Sequence, residues 1–400
     1  MTRPLSILMI CHHRRHKAYG RSYSMAKNLV LRGHKVTLLV ISENRRIGIE
    51  ESQWDGIRII ETPDLLWGKL RSGWDLWDML NRIIFLNREI EKYDLIHCFE
   101  TRPVTIYPAL FYLKHHRIPL FTDWNDWFGR GGLITILRPK WYQILVGGVE
   151  TYYEEAFRKI GAGITVISTA LAKRAADLGI SDDRIFYISG GTHPDLYQVR
   201  SKEECRRRIG LPVYAPIICF SSGDSHLDLD LIMAAIADVM KKYPLVKLMI
   251  TGKAGKHVLD KAKKYGIEDN LFLTGFVPFE ELAWYMGCAD MFVLPFPETI
   301  YNLGRWPNKL GDYLCLGRPT ISNPVGDVKP FFERNEVGFL TEFSKEGFYN
   351  KMIYIIENPE IGLRYGENAR KIAENILNWK ILVRELEDFY YKVLNSYGKV

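Results

Sequence analysis

The stretch from Glu298 to Asp327 carries the densest set of side chains able to do chemistry. It holds Asn302, Gly304, Arg305, Pro307, Lys309, Asp312, Gly317, Arg318, Pro319 and Gly326. Pro307 followed by apolar residues predicts a helix starting near Asn308. The free N–H groups of a helix N-terminus, with Arg305 and Lys309 beside them, suit a diphosphate. Asp312 falls one turn beyond Lys309 on the same helix face. Its carboxylate could accept hydrogen bonds from ribose hydroxyls; an Asp–Lys surface pair is the competing reading.

Other chemistries fail on spacing. Gly255-Lys256 is followed by His257 with no glycine at position 250, so there is no Walker A loop. The loop after the first strand lacks G-x-G-x-x-G, which weakens a dinucleotide-binding dehydrogenase. No G-x-S-x-G elbow marks a hydrolase nucleophile. Asp228-Leu229-Asp230 resembles a metal-binding pair, but it falls at the expected start of a helix, where carboxylates complement the dipole. His12, His13 and His16 read as a basic loop without metal-ligand spacing. The six cysteines contain no Cys-x-x-Cys pair and are expected to be reduced thiols. Neither a metal nor a cofactor is expected.

These side chains need a frame to position them. A length of 400 residues, with 47% hydrophobic and 25% charged residues, favours two globular domains and excludes disorder and collagen. A buried strand at 5–11, a loop with Gly20, a helix bearing Ala26, Leu29 and Val30, and a strand at 35–41 form a β-loop-α-β unit. Further strands are predicted at 57–60, 95–98, 119–122, 164–167 and 184–188. Gly190, Gly191 and Pro194 mark a break. The alternation then restarts, with strands at 217–221, 247–251, 271–273, 291–294 and 320–322. The expected fold class is α/β: two Rossmann-like, doubly wound domains, 1–192 and 193–377, facing each other across a cleft. In such sheets ligands bind outside the carboxyl ends of the strands. A last amphipathic helix within 378–400 carries Leu382, Leu386, Phe389 and Val393 on one face and needs a surface to cover.

The net charge of +7 is unevenly spread. Residues 1–200 hold 28 basic and 21 acidic side chains, whereas residues 201–400 hold 26 of each. Seven of the ten tryptophans lie in residues 54–141. Trp67, Trp74, Trp77 and Phe85 are mixed with Lys69, Arg71, Arg82 and Arg88. That stretch reads either as a membrane-interface segment or as a core helix with a solvated face. No apolar run approaches the ~20 residues of a membrane span, and the run at 5–11 ends too early for a signal peptide. A cytoplasmic protein is expected, with peripheral contact to an anionic membrane surface as one option. No nucleic-acid motif accompanies the basic half, so no nucleic-acid partner is expected.

Taken in order, these motifs resemble a GT-B glycosyltransferase of the retaining family four, also called group 1. "ILMICHHRRHKAYGRSYSMAKNLVLRGHKVTLLV" resembles that family's opening strand, glycine loop, helix and second strand. "YDLIHCF" resembles its strand ending in histidine, and "ISGGTHPDLYQ" its interdomain turn. "LFLTGFVPFEELAWYMGCADMFVLPF" resembles its base-binding segment, "RWPNKLGDYLCLGRPTISNPVGDV" a variant of its donor motif, and "LNWKILVRELEDFYYKVL" its closing helix. In that fold the closing helix crosses back onto the N-terminal domain.

The resemblance implies sugar transfer from a nucleoside-diphosphate sugar to a glycan or lipid-linked acceptor, with retention and without a metal. It places the donor on the C-terminal domain and the acceptor on the N-terminal one. It gives Asp312 the ribose, Lys309 and Arg305 the diphosphate, and the Phe276–Val277 loop the base. It adds Gly20, Gly223 and Asn302 to the donor contacts. Two departures stand out. The first carboxylate of the family's E-x7-E motif is Gly304 here, with Glu298 as the possible replacement. The usual basic pair after the first C-domain strand is replaced by Ser222, Gly223, Asp224 and His226. The family's N-domain histidine falls near Asn125 and Asp126, within "DWNDWFGRGG". Asp126 is therefore expected to face the sugar or acceptor, with His97 and Asp123 on the acceptor side; a core histidine and loop-capping aspartates are the bland alternatives. A nucleotide-sugar 2-epimerase and a non-catalytic sugar-nucleotide-binding subunit are the alternative functions.

Overall fold

The computed structural model describes residues 3–14, 20–43, 46–65, 73–221 and 229–397. Gly223, His16, Trp67, Lys69, Arg71 and Asp228 lie outside them. The chain forms two compact units. The first comprises Met1–Ser189, Leu303–Arg305 and Trp379–Val400; the second comprises Gly190–Asn302 and Trp306–Asn378.

The first unit is an eight-stranded sheet. Its strands are β1 (Ser6–Arg14), β2 (Lys35–Ile41), β3 (Glu50–Trp54), β4 (Ile57–Thr62), β5 (Leu95–Phe99), β6 (Leu120–Trp124), β7 (Gly163–Val166) and β8 (Ile185–Tyr187). Their spatial order is β3-β4-β2-β1-β5-β6-β7-β8, parallel except for the β3–β4 pair. Helices α1 (Arg21–Leu31), α2 (Leu76–Arg88), α3 (Pro103–Leu113), α4 (Leu133–Leu137), α5 (Lys140–Lys159) and α6 (Thr169–Asp177) cross between them. Alternation along β1 shows how the sheet is buried on both faces. Ile7, Met9 and Cys11 join Met25 and Leu29 of α1 in one core, while Leu8 and Ile10 join Ile106 and Ala109 of α3 in the other. Each Ile, Leu or Met among them contributes roughly 1.5–3 kcal/mol by leaving water.

β1 runs further than the sequence suggests. His12 and His13 belong to the strand rather than to a loop, and His12 Nδ1 lies 3.1 Å from the Phe99 carbonyl oxygen.

The second unit continues with α7 (Lys202–Ile209), β9 (Ile217–Ser221), α8 (Leu229–Lys242), β10 (Lys247–Thr251), α9 (Lys256–Tyr265), β11 (Leu271–Leu273), α10 (Phe279–Met286) and β12 (Met291–Leu294). Then come α11 (Ile300–Leu303), α12 (Asn308–Cys315), β13 (Thr320–Ser322), α13 (Val328–Asn335), β14 (Gly338–Leu340), α14 (Lys345–Glu357) and α15 (Pro359–Asn375). The strand order is β11-β10-β9-β12-β13-β14, all parallel. Leu229, Ile232, Ile236 and Val239 of α8 are buried against Ile218, Leu248 and Ile250. On the same helix Asp230 pairs with Lys261 and Lys264, so it stabilises the surface and is not arranged as a metal ligand.

The final helix α16 (Trp379–Ser396) belongs to the first unit. Its Leu382, Val383, Leu386 and Tyr390 enter the same core as β1 and α1. Glu387 fixes its position by bonding Arg32 and His34, the latter at 2.9 Å.

Candidate functional site

In the second unit the sequence candidates gather at the carboxyl ends of the strands. The order reverses between β9 and β12, the switch point where such sheets open a crevice. Helix α12 starts at Asn308, directly after Pro307. Lys309 Nζ stands 4.6 Å from the ring centroid of Phe220, at the end of β9. The Ser221 amide donates to the Tyr313 hydroxyl at 2.9 Å, which pins the strand end onto α12. A half-buried cation at a helix N-terminus is a site for a phosphate-type anion.

Asp312 lies one turn further, where the Tyr197 hydroxyl donates to its Oδ1 at 2.7 Å. Burial pushes its carboxyl up to about 6, and the Tyr197 bond pulls the other way. The bonded partner is therefore Tyr197, 115 residues away, and the pair reads as a preset acceptor.

Asn302, at the end of α11, is buried. Its Nδ2 donates to the Pro297 carbonyl at 2.7 Å, and its Oδ1 has no hydrogen-bond partner among the described residues. An unmet buried amide oxygen costs about 1–3 kcal/mol, so it marks a place where a ligand donor would fit. Glu298 is exposed on the segment leading to α11.

After β11, the Gly252 amide donates to the Gly275 carbonyl at 3.0 Å. Gly275 has φ +66, a left-handed value that favours glycine. This turn presents Phe276, 76% exposed, and Val277, half-buried. A cavity of about 770 Å³ lies at the opposite edge, beside Pro216, Asp290 and Pro319 at the amino ends of β9, β12 and β13. Its Lys202 and Arg206 are already paired with Asp290.

In the first unit two acceptor-side expectations fail. His97 is fully buried: its Nδ1 lies 2.6 Å from the Tyr390 hydroxyl and its Nε2 3.2 Å from the Thr165 hydroxyl. It is a core histidine tying β5 to α16. Asp123 is also fully buried. It accepts from Arg21 Nε at 3.0 Å and from the Thr165 hydroxyl at 2.5 Å. Its role is to hold Arg21, the first residue of α1 after Gly20, at the end of β6. Asp126, three residues on, is half-buried.

Sequence reasoning missed the charged network beneath that loop. Glu100 has φ +67 and is buried. It accepts from Arg158 Nη2 at 2.5 Å and from the Asn125 amide at 3.1 Å. Arg158 also donates to the Asp123 carbonyl at 2.8 Å and stacks on Trp124 with its guanidinium 4.4 Å from the ring centroid. Glu154 accepts from Trp124 Nε1 and from the amides of Phe128 and Gly129. Gly304 is packed for a steric reason: a Cβ there would lie 2.6 Å from the Trp127 Cβ. A carboxylate side chain has no room at that position. Arg305 is half-buried and counted with the first unit.

The family model for Glycosyltransferase Family 4 matches residues 21–196, and that for Glycosyl transferases group 1 matches residues 215–358. The chain belongs to the family-four, group 1 glycosyltransferases. Its fold is GT-B. Sucrose-phosphate synthase from Thermosynechococcus elongatus superposes with a TM-score of 0.77 at 15% identity, covering 98% of this chain and 100% of that one. Anabaena HepE in complex with UDP and glucose superposes with a TM-score of 0.70 at 15% identity, covering 97% and 100%. A GDP-mannose-dependent alpha-(1-6)-phosphatidylinositol monomannoside mannosyltransferase of Mycobacterium tuberculosis is 22% identical over 246 residues, 58% of this chain and 63% of that protein. The matches span from about a third to under two thirds of the length of the first curated relatives.

Within this glycosyltransferase fold, His97 has a measurable structural signature. Burial pushes it from 6.5 down to about 4. A histidine depressed in the folded state stabilises fully above its unfolded value and loses that stability as pH falls through the folded one. The share at stake is roughly 3 kcal/mol. His97→Gln is expected to be less stable than the parent at neutral pH, with a shallower decline between pH 6.5 and 4. Urea unfolding across that window checks it, and an unchanged slope would contradict the assignment.

Proposed function

We propose that this chain is a retaining glycosyltransferase. It takes a sugar from a nucleoside-diphosphate donor and passes it to a glycan or lipid-linked acceptor, in surface polysaccharide or glycolipid synthesis. The carrying observation is the arrangement of Lys309 at the N-terminus of α12 with Asp312 one turn on, at the switch point of the second sheet. Lys309, with Arg305 just before it in the chain, meets the diphosphate and stabilises its charge as the sugar departs. Asp312 accepts from the ribose. Asn302 offers Oδ1 to a donor hydroxyl, and the backbone of Phe276–Val277 meets the base. Gly20 allows close backbone approach to the donor, and Glu298 orients the sugar. Asp126 contacts the sugar or acceptor.

These cations would do the work of a metal, so the reaction is proposed to need none. Among the described residues no group of three or more His, Cys, Asp or Glu is placed to hold one. No helix among them is long and apolar enough to cross a membrane. The proposed workplace is the cytoplasm, at the inner face of the cell membrane. The UDP and glucose named for the Anabaena structure and the GDP-mannose named for the mycobacterial relative support a nucleotide-sugar donor.

The test is a panel of UDP-, GDP- and ADP-sugars read by melting temperature. One base class is expected to raise it by roughly 3–6 °C at saturating concentration. Proton NMR of the product's anomeric centre then reports retention. No shift from any sugar nucleotide would refute the donor site, and an inverted anomer would refute the mechanism.

A further inference from the structure

Helix α5 is amphipathic in reverse. Its inward residues include Glu150, Glu154 and Arg158, all buried. Outward it shows Trp141 at 63%, Ile144 at 80%, Leu145 at 72% and Tyr152 at 60% exposure, with Val149 and Gly148 between them. These positions fall at helical spacing along one face. Ile136 of α4 is exposed too, and Gln143 Nε2 binds α4 to α5 through the carbonyls of Thr135 and Arg138. A surface helix of a soluble protein normally points its apolar stripe inward, and a contiguous exposed apolar face marks an interaction surface.

The charges name the partner. No acidic residue occurs between Asp126 and Glu150, while Arg130, Arg138 and Lys140 fall in that interval. Arg138 and Lys140 flank the N-terminus of α5, where the helix dipole disfavours cations. Their place at that end of the helix is unfavourable without a counter-charge, which points to an anionic partner. Trp141 and Tyr152 are amphipathic rings of the kind that settle at a headgroup boundary. A second copy of the chain answers these features less well, because the face offers no exposed carboxylate for the cations to meet.

We propose that the α4–α5 face docks on an anionic lipid surface, with Trp141, Ile144 and Leu145 entering the headgroup–acyl boundary and Arg130, Arg138 and Lys140 contacting lipid phosphates. This is a different surface from the stretch 65–88, where Arg82 is fully buried and paired with Asp78 at 2.9 Å while Leu76, Trp77, Leu80 and Ile84 are exposed.

Flotation with vesicles of phosphatidylcholine and phosphatidylglycerol tests the proposal. The parent is expected to float with anionic vesicles, to float less with phosphatidylcholine alone, and to release as salt rises. The double variant Ile144→Asp/Leu145→Asp is expected to bind roughly tenfold or more weakly. Its melting temperature should hold, because both side chains are exposed. A fluorophore on Leu145→Cys reports the location directly, since all six native cysteines are buried. Its emission is expected to shift to the blue on anionic vesicles only. Parent protein that ignores anionic vesicles, or a double variant that binds as the parent does, overturns the proposal. So does a dimer by light scattering that the double variant abolishes, which would assign the face to a second copy.

Discussion

Lys309→Ala is expected to lower kcat by about 10²–10³-fold while the chain stays folded. The cation is held over Phe220 at the end of β9, beside the N-terminus of α12. Negative charge grows on the diphosphate as the glycosidic bond breaks, so a fixed cation there stabilises the transition state more than the bound donor. Ser222, Gly223, Asp224 and His226 stand where the family's basic pair is usual, so in the proposed mechanism Lys309 would carry a larger share of that work. The cation–π contact itself is worth only about 0.5–1 kcal/mol at a partly exposed place, so stability is little affected. Lys309→Arg keeps the charge and is expected to retain part of the activity. If KM for the donor rises and kcat stays, Lys309 contributes to ground-state binding alone. Turnover equal to the parent's would leave it with no role, and would favour a site that binds sugar nucleotides without catalysis.

Much of this frame could be read from residue patterns because parallel strands buried on both faces are unbroken apolar runs. The second-unit strands β9 to β13 fall where the apolar runs predict them. β3 escaped notice because Glu50–Trp54 is polar, largely exposed and paired antiparallel at the sheet edge. β14 has only three residues. The site was legible where its residues are neighbours in sequence, as with Lys309 and Asp312 on one helix. It was illegible where a partner is distant. Tyr390, which bonds His97, lies 293 residues away, and Tyr197 lies 115 residues from Asp312. The inward charges of α5 defeat pattern reading altogether, because periodicity assumes that apolar residues face the core. Arg158 and Glu154 could be recognised only once the sheet ends they serve were in place.

Arg158→Leu is expected to destabilise the first unit by about 3–5 kcal/mol, the cost of stranding one member of a buried ion pair. Arg158 is fully buried, and its loss leaves the Glu100 carboxylate without that cation and the Asp123 carbonyl without that donor. The pH dependence identifies the cause. Burial already pushes Glu100 up to about 7, with Arg158 as the leading opposing influence. Without Arg158 the folded value rises further. A carboxyl raised in the folded state binds its proton more tightly there, so its stabilisation is present below the unfolded value and is lost as pH rises through the folded one. The variant's deficit is therefore expected to be largest near pH 8 and about 1–2 kcal/mol smaller near pH 5, where Glu100 is neutral. Urea unfolding at both pH values measures it, and a deficit independent of pH would assign the loss to packing. Glu100→Leu together with Arg158→Leu removes both charges and is expected to recover much of the stability lost by the single variant. Turnover should not recover with it. Glu100 Oε1 accepts the Asn125 amide, one residue before Asp126, so the double variant restores the fold while releasing the loop that carries the proposed acceptor-facing carboxylate. Recovery of stability and turnover together would show that Glu100 only neutralises Arg158.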